Sequence, residues 1–478
     1  MLDRNGPQPL YRQIKDLILG WVRSGEVTPG SRLPPERELG RRFGVSRHTV
    51  REAIAELERE GVLYRVQGSG TYVAHRRATV LRALVPEREW MIPLYEAETL
   101  YNSAHSSSPI HIEVRAVGRP RLRDELILAV AAGVAPDIAL IDSVWLAELA
   151  HLKFLIPIDE AAPRWAEEFE GDLLPGILQG NHHADGHLYG VQTEASASVI
   201  WYRRDLLAKV GMERLASWED LLEAGHRLKR AWRRLGISQY PIAFCGGMRG
   251  GETTTYQLLP LVWAVGEDLV VGTRPALGTG TAAVLGDLEH LVHREEFASP
   301  QVVAFSWDEP RRLFSRGEVA IAFGGTYEKR PLQSMGKWSN REFRATVGMG
   351  MTPGRDGEGA SVLGGMVFTV LRQSGHPELA AEVLKLVASP ELVESFCLRT
   401  GRVPSRTSVA RKLNTDKHWF QREAEWILAR ARPRPWSPYY SKLSIQFRLM
   451  VENVLTGRLS PEQALTRARH GIEAVLAE

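Results

Sequence analysis

Residues 44–51 read GVSRHTVR, and this stretch decides the fold of the N-terminal region. Gly44 ends one helical pattern, and Ser46 is a favourable N-cap for the next helix. The inner face of that helix is apolar: Val50, Ile54 and Leu57. The outer face of its first turn is basic: Arg47, His48 and Arg51. In a helix-turn-helix the first turn of the second helix contacts base edges, so the stretch predicts a DNA-reading helix.

Two helices precede this stretch and a hairpin follows it. The first helix ends at Ser24 and carries an apolar stripe at helical spacing: Leu10, Ile14, Leu17, Ile18, Trp21 and Val22. The second starts within LPPEREL at 33–39, where proline is tolerated and acids favour the positive helix end, and it stops at Phe43. Strands are predicted at 62–66 and 71–73, joined by a loop containing glycines. Such a hairpin is the wing of a winged helix-turn-helix.

The distribution of charge favours the same function. Residues 1–77 contain 14 Lys/Arg and 9 Asp/Glu, whereas the remaining 401 residues contain 46 and 48. An excess of positive charge on a small N-terminal unit suits neutralisation of DNA phosphates. A solvated basic face would show the same excess, so charge alone does not decide between the two interpretations.

Four motifs of this region resemble the GntR family of bacterial transcription regulators: PLY at 9–11, LPPEREL at 33–39, GVSRHTVR at 44–51 and GSGTYV at 68–73. The resemblance implies that Arg37, Arg47 and Arg51 contact DNA and that Thr49 binds its backbone. It also implies that Gln67 and Gly68 of the wing enter the minor groove. Such regulators read two half-sites related by a twofold axis, so we expect a homodimer on operator DNA, with recognition helices about 34 Å apart.

The longer part of the chain, residues 79–478, alternates strand-like and helical segments. Strand-like runs include 110–114, 138–141 and 320–323, and helical runs include 121–132 and 378–388. This alternation predicts an α/β body with mainly parallel sheets. The expected architecture is therefore a head at 1–77 and a separate α/β body at 79–478.

Five segments of the body resemble, in order and spacing, the family-1 extracellular solute-binding proteins, which include the maltose-binding protein: 133–159, 187–221, 314–327, 351–404 and 455–465. The resemblance implies a two-lobed, periplasmic-binding-protein-like (type II) α/β domain. It further implies hinges near 190–198 and 346–352, with a ligand enclosed in the cleft between the lobes.

Sugar sites need aromatic faces and planar carboxylates or amides. By the resemblance, five residues are candidate ligand contacts: Asp142, Trp145, Glu194, Trp263 and Tyr327. For Trp145 and Trp263 a core position is an equal alternative, and Glu194 could instead form a hinge ion pair. Near the C-terminus Leu443 stands where the maltose-binding protein has a stacking aromatic, which argues against a maltose-type ligand.

Other signals favour a non-enzymatic, cytoplasmic regulator without a cofactor or a membrane partner. The start of the chain lacks a signal-peptide pattern, and Cys245 and Cys397 indicate buried thiols rather than a disulfide framework. His182, His183, Asp185 and His187 lie close in sequence but suggest a surface turn rather than a metal site.

The prediction is thus a transcription regulator that senses a small solute, a sugar or an oligosaccharide. Two alternatives remain open. An aminotransferase-like body would need pyridoxal phosphate on a lysine, which Ser441-Lys442 followed by Arg448 imitates close to the C-terminus. A solute-delivering importer component would need a signal peptide or a lipid anchor.

Overall fold

The N-terminal region folds as three helices and a hairpin: α1 (Leu10–Ser24), α2 (Glu36–Phe43), α3 (Arg47–Arg59), β1 (Leu63–Val66) and β2 (Gly70–Val73). The predicted helix-turn-helix with a wing is therefore confirmed. Gly44 ends α2 with φ of 66°, a left-handed conformation that glycine adopts without strain. Val50, Ile54 and Leu57 of α3 pack with Ile14 and Ile18 of α1 in one apolar core.

The computed structural model describes all residues except 1, 5, 6, 25, 29, 30, 67–69, 74–77, 107, 161, 178–184 and 356–358. The chain forms two units. One consists of Met1–Leu81 and Glu98–Glu113, and the other of Arg82–Ala97 and Val114–Glu478. No helix among the described residues is both long and apolar enough to traverse a bilayer.

The chain that follows the wing is built on two mixed sheets. The first has the order β4-β3-β5-β14-β6: β3 (Thr79–Val85), β4 (Ile110–Ala116), β5 (Ile138–Asp142), β6 (Val191–Gln192) and β14 (Met366–Val370). The second has the order β16-β13-β7-β11-β8, with β12 and β15 also paired to β7: β7 (Glu194–Arg203), β8 (Ile242–Ala243), β11 (Ile321–Gly325), β12 (Val347–Gly350), β13 (Val362–Gly364), β15 (Val403–Pro404) and β16 (Arg432–Pro433). A short hairpin completes the strands: β9 (Val270–Val271) and β10 (Arg274–Pro275).

Helices cover both sheets. Those up to the end of β11 are α4 (Met91–Ala104), α5 (Leu122–Ala131), α6 (Leu146–His151), α7 (Pro163–Gly171), α8 (Arg204–Lys209), α9 (Trp218–Leu235), α10 (Glu252–Ala264), α11 (Thr279–Glu289) and α12 (Glu309–Ser315). Those after it are α13 (Lys329–Met335), α14 (Asn340–Thr346), α15 (Pro377–Val387), α16 (Pro390–Thr400), α17 (Thr407–Leu413), α18 (Trp419–Leu428), α19 (Tyr440–Leu455) and α20 (Pro461–Leu476). The alternation of strands and helices confirms the α/β class.

The expectation of mainly parallel sheets was wrong. β7 runs antiparallel to β11, β12, β13 and β15, and β14 runs antiparallel to β5 and β6. The pairs β3–β5, β8–β11 and β13–β16 are parallel. The chain enters the second sheet with β7 and the first sheet with β14. Each of these strands begins at the edge of its sheet where β11 or β5, respectively, ends. They must therefore run against those strands.

The chain changes sheet between β6 and β7 at Thr193, between β13 and β14 at Gly365, and again between β14 and β15; the crossings at Thr193 and Gly365 are neighbours. The crossing at Thr193 lies within the predicted hinge at 190–198. The second predicted hinge, at 346–352, coincides with β12, which stays inside the second sheet, and the chain leaves that sheet at Gly365. Gly365 has φ of 156°, and a Cβ there would lie 2.1 Å from Gln192 Nε2, so only glycine fits this crossing.

Candidate functional sites

The N-cap residue Ser46 orders the first turn of α3. Ser46 Oγ accepts the backbone N–H of Thr49 at 3.2 Å and lies 2.8 Å from Thr49 Oγ1. This cap satisfies an N–H that the helix itself leaves unpaired. It also fixes the position of Thr49, which the sequence predicts to bind a phosphate. Arg47 and His48 stand beside it, exposed on the outer face of the turn.

A single carboxylate gathers three arginines on this surface. Glu36, at the start of α2, accepts hydrogen bonds from Arg47 Nε at 2.8 Å, Arg51 Nη2 at 3.0 Å and Arg65 Nη2 at 3.3 Å. The hydrogen bond from Arg51 lowers the pKa of Glu36 and outweighs the opposing effect of partial burial. The side chains of Arg47 and Arg51 nevertheless remain 67% and 52% exposed. The cluster therefore pre-orders cations that a polyanion can reach.

The remaining predicted DNA contacts lie around this cluster or outside the described residues. Arg37 is exposed in the first turn of α2. Gln67 and Gly68 of the wing fall outside the described residues. Arg65, on strand β1, was missed by sequence reasoning because its link to Glu36 spans 29 residues and carries no local pattern.

In the second unit, a cavity of about 400 Å³ lies where the two sheets meet. Four strand ends border it: the last residues of β5 and β13 and the first residues of β7 and β14. Polar side chains at such strand ends converge on one space, as is typical of binding sites in α/β proteins. Four of the five predicted ligand residues line this cavity: Asp142, Trp145, Glu194 and Tyr327.

The fifth predicted residue lies elsewhere. Trp263, near the end of α10, is 5% exposed and belongs to the apolar core of the second lobe. One of its faces is covered by the guanidinium of Arg432, 4.7 Å from the ring centroid. Of the two alternatives that the sequence left open for Trp263, the structure places it in the core, away from the cavity.

Arg434 connects the two lobes at the floor of the cavity. Its Nη2 lies 3.3 Å from Asp142 Oδ1 at the end of β5, and its Nη1 donates to Glu252 Oε1 on α10 at 2.8 Å. Glu252 also accepts from the Tyr440 hydroxyl and, at 2.6 Å, from Ser444 Oγ. The Arg434 side chain is only 2% exposed, so its charge depends on these carboxylates for compensation.

Glu194 connects the crossings at Thr193 and Gly365. Its Oε1 accepts the backbone N–H of Met366, just after Gly365, at 3.1 Å. Its Oε2 lies 3.6 Å from Arg402 Nη1 and accepts no hydrogen bond from the described residues. Burial raises the pKa of this carboxyl, and the charge of Arg402 opposes the rise. Oε2 of Glu194 is thus an unsatisfied acceptor at the crossing itself.

Arginines stack on the aromatic rings of the cavity. The Arg119 guanidinium lies 5.3 Å from the centroid of Trp307 and 5.7 Å from that of Tyr327. Arg311 lies 5.0 Å from the centroid of Trp307, and Arg434 lies 5.5 Å from that of Tyr256. Sequence reasoning missed Arg119, Tyr256, Trp307 and Arg434, because nothing in their local sequence distinguishes them from core or surface residues.

A sequence model of a known family covers most of this chain. The family described as bacterial extracellular solute-binding protein matches residues 87–394, well over half of the sequence. The chain belongs to this family. The cavity between the two sheets is the cleft of its solute-binding-protein body.

The N-terminal region matches a second model, bacterial regulatory proteins of the gntR family, over residues 10–73. The arabinose metabolism transcriptional repressor of Geobacillus stearothermophilus is 52% identical over 66 residues, which are 14% of this chain and 18% of that protein. The repressor NagR of Bacillus subtilis is 42% identical over 73 residues, which are 15% of this chain and 30% of that protein. The match thus spans less than a third of either relative. This solute-binding-family chain begins with a GntR-type helix-turn-helix region.

Solved structures agree with the fold of the body. A solute-binding protein from Thermotoga lettingae bound to α-D-tagatose superposes with a TM-score of 0.73 and 21% identity, covering 84% of this chain and 100% of that one. Maltose-bound MalE3 of T. maritima gives a TM-score of 0.71 at 21% identity, covering 83% and 100%. At this level of identity the likeness establishes the two-lobed fold alone.

The other sequence signals have ordinary structural roles in this solute-binding-protein fold. Cys245 and Cys397 are free and buried. His187 Nδ1 lies 3.0 Å from Asp159 Oδ2, whereas His182 and His183 fall outside the described residues. Lys442, which imitates a cofactor lysine, is exposed and pairs with Glu478. An aminotransferase-like body is therefore excluded by the fold.

Proposed function

We propose that this protein is a transcription regulator whose GntR-type region, residues 1–77, binds operator DNA and whose body, residues 79–478, senses a sugar or oligosaccharide. The observation that carries the proposal is the presence, on one chain, of an ordered arginine cluster at a recognition helix and a polar solute cleft. The similarity of the N-terminal region to transcriptional repressors, such as that of arabinose metabolism, supports DNA binding by residues 1–77. Tagatose- and maltose-bound structures of the same fold support the sugar half.

On DNA, Arg47, His48 and Arg51 would reach base edges in the major groove, since a guanidinium can donate two parallel hydrogen bonds to guanine. Thr49 would bind a phosphate from its capped position. Arg37 and Arg65 would add backbone contacts, and Gln67 with Gly68 would enter the minor groove. The protein would act as a homodimer on an operator with twofold symmetry.

In the cleft, Asp142, Glu194 and Glu252 would accept hydrogen bonds from sugar hydroxyls, and Trp145 would contact the apolar face of a ring. Closure would occur by rotation of the lobes about the two crossings at Thr193 and Gly365. Because Glu194 bonds across both crossings, a hydroxyl bound to it would act directly on the hinge. Bound solute would thereby favour one arrangement of the body.

Coupling of the two halves gives the first test. Saturating solute is expected to change the dissociation constant for operator DNA about 5- to 150-fold, which is the usual range of coupling free energies between two sites. Binding is linked reciprocally, so operator DNA must change the affinity for solute by the same factor. Fluorescence anisotropy of labelled operator, with and without solute at fixed salt, measures the effect; equal constants in both titrations would refute the proposed switch.

Glu194 gives a second test, specific to the cleft. Replacement by alanine removes the free Oε2 acceptor and is expected to weaken solute binding about tenfold or more, since a hydrogen bond to a charged group contributes about 1.5–3 kcal/mol. Isothermal titration calorimetry with the full-length protein measures the change.

Glu328→Ala is the matched control for Glu194→Ala. Glu328 is also buried, and its pKa is raised by that burial to about 7, but it accepts the backbone N–H of Gly325 and does not line the cavity. The control should keep wild-type affinity. Equal losses in both variants would mean that Glu194 acts through the fold rather than on the solute.

A further inference from the structure

The wall of the cleft is rich in arginine, and this composition bears on the charge of the solute if the proposed function holds. Six arginines line the described part of the cavity: Arg119, Arg123, Arg249, Arg402, Arg434 and Arg448. Four have carboxylate partners: Arg119 with Glu87, Arg123 with Glu148, Arg402 with Glu89 and Glu194, and Arg434 with Asp142 and Glu252. Among the described residues, Arg249 and Arg448 have no carboxylate oxygen within 4.0 Å.

These two arginines lie on adjoining elements of one lobe. Arg448 lies on α19, where Ser441, Ile445 and Arg448 line the cavity at helical spacing. Arg249 lies in the short turn Met248–Gly250, which is held against α19 by a 2.7 Å hydrogen bond from the Met248 N–H to Glu452 Oε2. Glu452 is one turn beyond Arg448. Arg249 and Arg448 therefore border the same side of the cleft.

Deeper in the cleft, Arg434 leaves one hydrogen-bond donor unsatisfied. Arg434 is 2% exposed, and its Nε–H has no hydrogen-bond acceptor among the described residues, although its two Nη atoms are paired. An unsatisfied buried donor favours a hydrogen-bond acceptor on the solute. In addition, guanidinium groups of the protein already stack on Trp307, Tyr327 and Tyr256.

We propose that the solute is an acidic sugar, whose carboxylate or phosphate group binds at Arg249 and Arg448. The planar guanidinium matches either anion with two parallel hydrogen bonds, and such charge-assisted bonds are stronger than neutral ones. The sugar ring would contact Trp145 and the carboxylates at the floor of the cleft. Neutral sugars lack the group that would compensate these two charges.

Matched pairs of probes test the proposal by calorimetry on the full-length protein. To test for a carboxylate, the affinity for galacturonic acid is compared with that for galactose, and the same comparison is made with the disaccharide of each. To test for a phosphate, the affinity for glucose 6-phosphate is compared with that for glucose. Inorganic phosphate alone tests simple anion binding. At least one acidic sugar should bind about tenfold or more tightly than its neutral partner. Arg448→Gln should remove that preference. Arg469→Gln, which removes an exposed arginine on α20, should retain it.

Each other result overturns the inference in a recognisable way. Equal or tighter binding of the neutral partners contradicts it and leaves the proposed sugar sensor intact. Binding of inorganic phosphate as tight as that of the phosphorylated sugar would replace an acidic-sugar site with a simple anion site. If none of the sugars binds, both the acidic-sugar inference and the proposed sugar specificity fail, whereas operator binding by the head can still be measured separately.

Discussion

Replacement of Arg434 by alanine is expected to destabilise the body by about 3–5 kcal/mol, the largest effect of any single substitution considered for this protein. The change removes the cation between Asp142 and Glu252 and leaves two carboxylates without their charge partner at the floor of the cleft. A buried charge that loses its partner retains its desolvation penalty, which explains the size of the effect. Urea unfolding of the full-length protein, followed through the transition of the body, measures it.

Arg432→Ala provides the comparison for Arg434→Ala. Arg432 is two residues away on β16, pairs with Asp268 at 3.3 Å and is 56% exposed. Exposed ion pairs contribute about 0–1 kcal/mol, so this variant should unfold close to the wild type, apart from the contact that Arg432 makes with Trp263. Similar unfolding free energies for the two variants would show that the Asp142–Arg434–Glu252 chain does not support the lobes.

Replacement of Arg51 by alanine is expected to weaken operator binding by about 1–3 kcal/mol, or roughly 5- to 150-fold, if its guanidinium contacts a base bidentately. Arg51 is 52% exposed on the first turns of α3 and is pre-ordered by Glu36. An operator selected from random DNA by the full-length protein serves as the ligand. Anisotropy titrations at fixed salt then measure the affinity for that operator and for unrelated DNA.

Arg59→Ala is the matched control for Arg51→Ala, because Arg59 lies in the last turn of the same helix and is also exposed. Both variants lose one positive charge, so a general electrostatic effect would weaken binding to all DNA similarly. A base contact instead predicts that Arg51→Ala lowers the preference for operator over unrelated DNA and that Arg59→Ala does not. Equal preferences in the two variants would rule out base reading by Arg51.

The head could be predicted almost element by element, because its signals are local. Ser46 as a cap, Gly44 at a helix end and the spacing of Val50, Ile54 and Leu57 each act within a few residues of chain. Propensity, capping and periodicity operate over that distance, and here they agree with one another. The carboxylate that orders the arginines was not predictable, since Glu36 and Arg65 are 29 residues apart.

The family of the body, its fold class and the order of its segments could be predicted from the sequence, but the residues of its cavity only in part. Asp142, Trp145, Glu194 and Tyr327 line the cavity because they follow or begin strands whose ends meet there. Trp263 does not, because α10 presents it to the apolar core of the lobe. The antiparallel direction of β7 and β14 was also not predicted. Strand propensity indicates that a segment is a strand, but not from which sheet the chain reaches it.

Sequence alone thus determined that a winged helix-turn-helix precedes a two-lobed α/β body, since both follow from local patterns and from segments in a characteristic order. Tertiary structure alone decided the chemistry of the cleft. Arg434 meets Asp142 across 292 residues, and Glu194 meets Met366 across 172. Such pairs form because folding brings two crossings and two lobes to one place, where the side chains of Arg434 and Glu194 are almost fully buried.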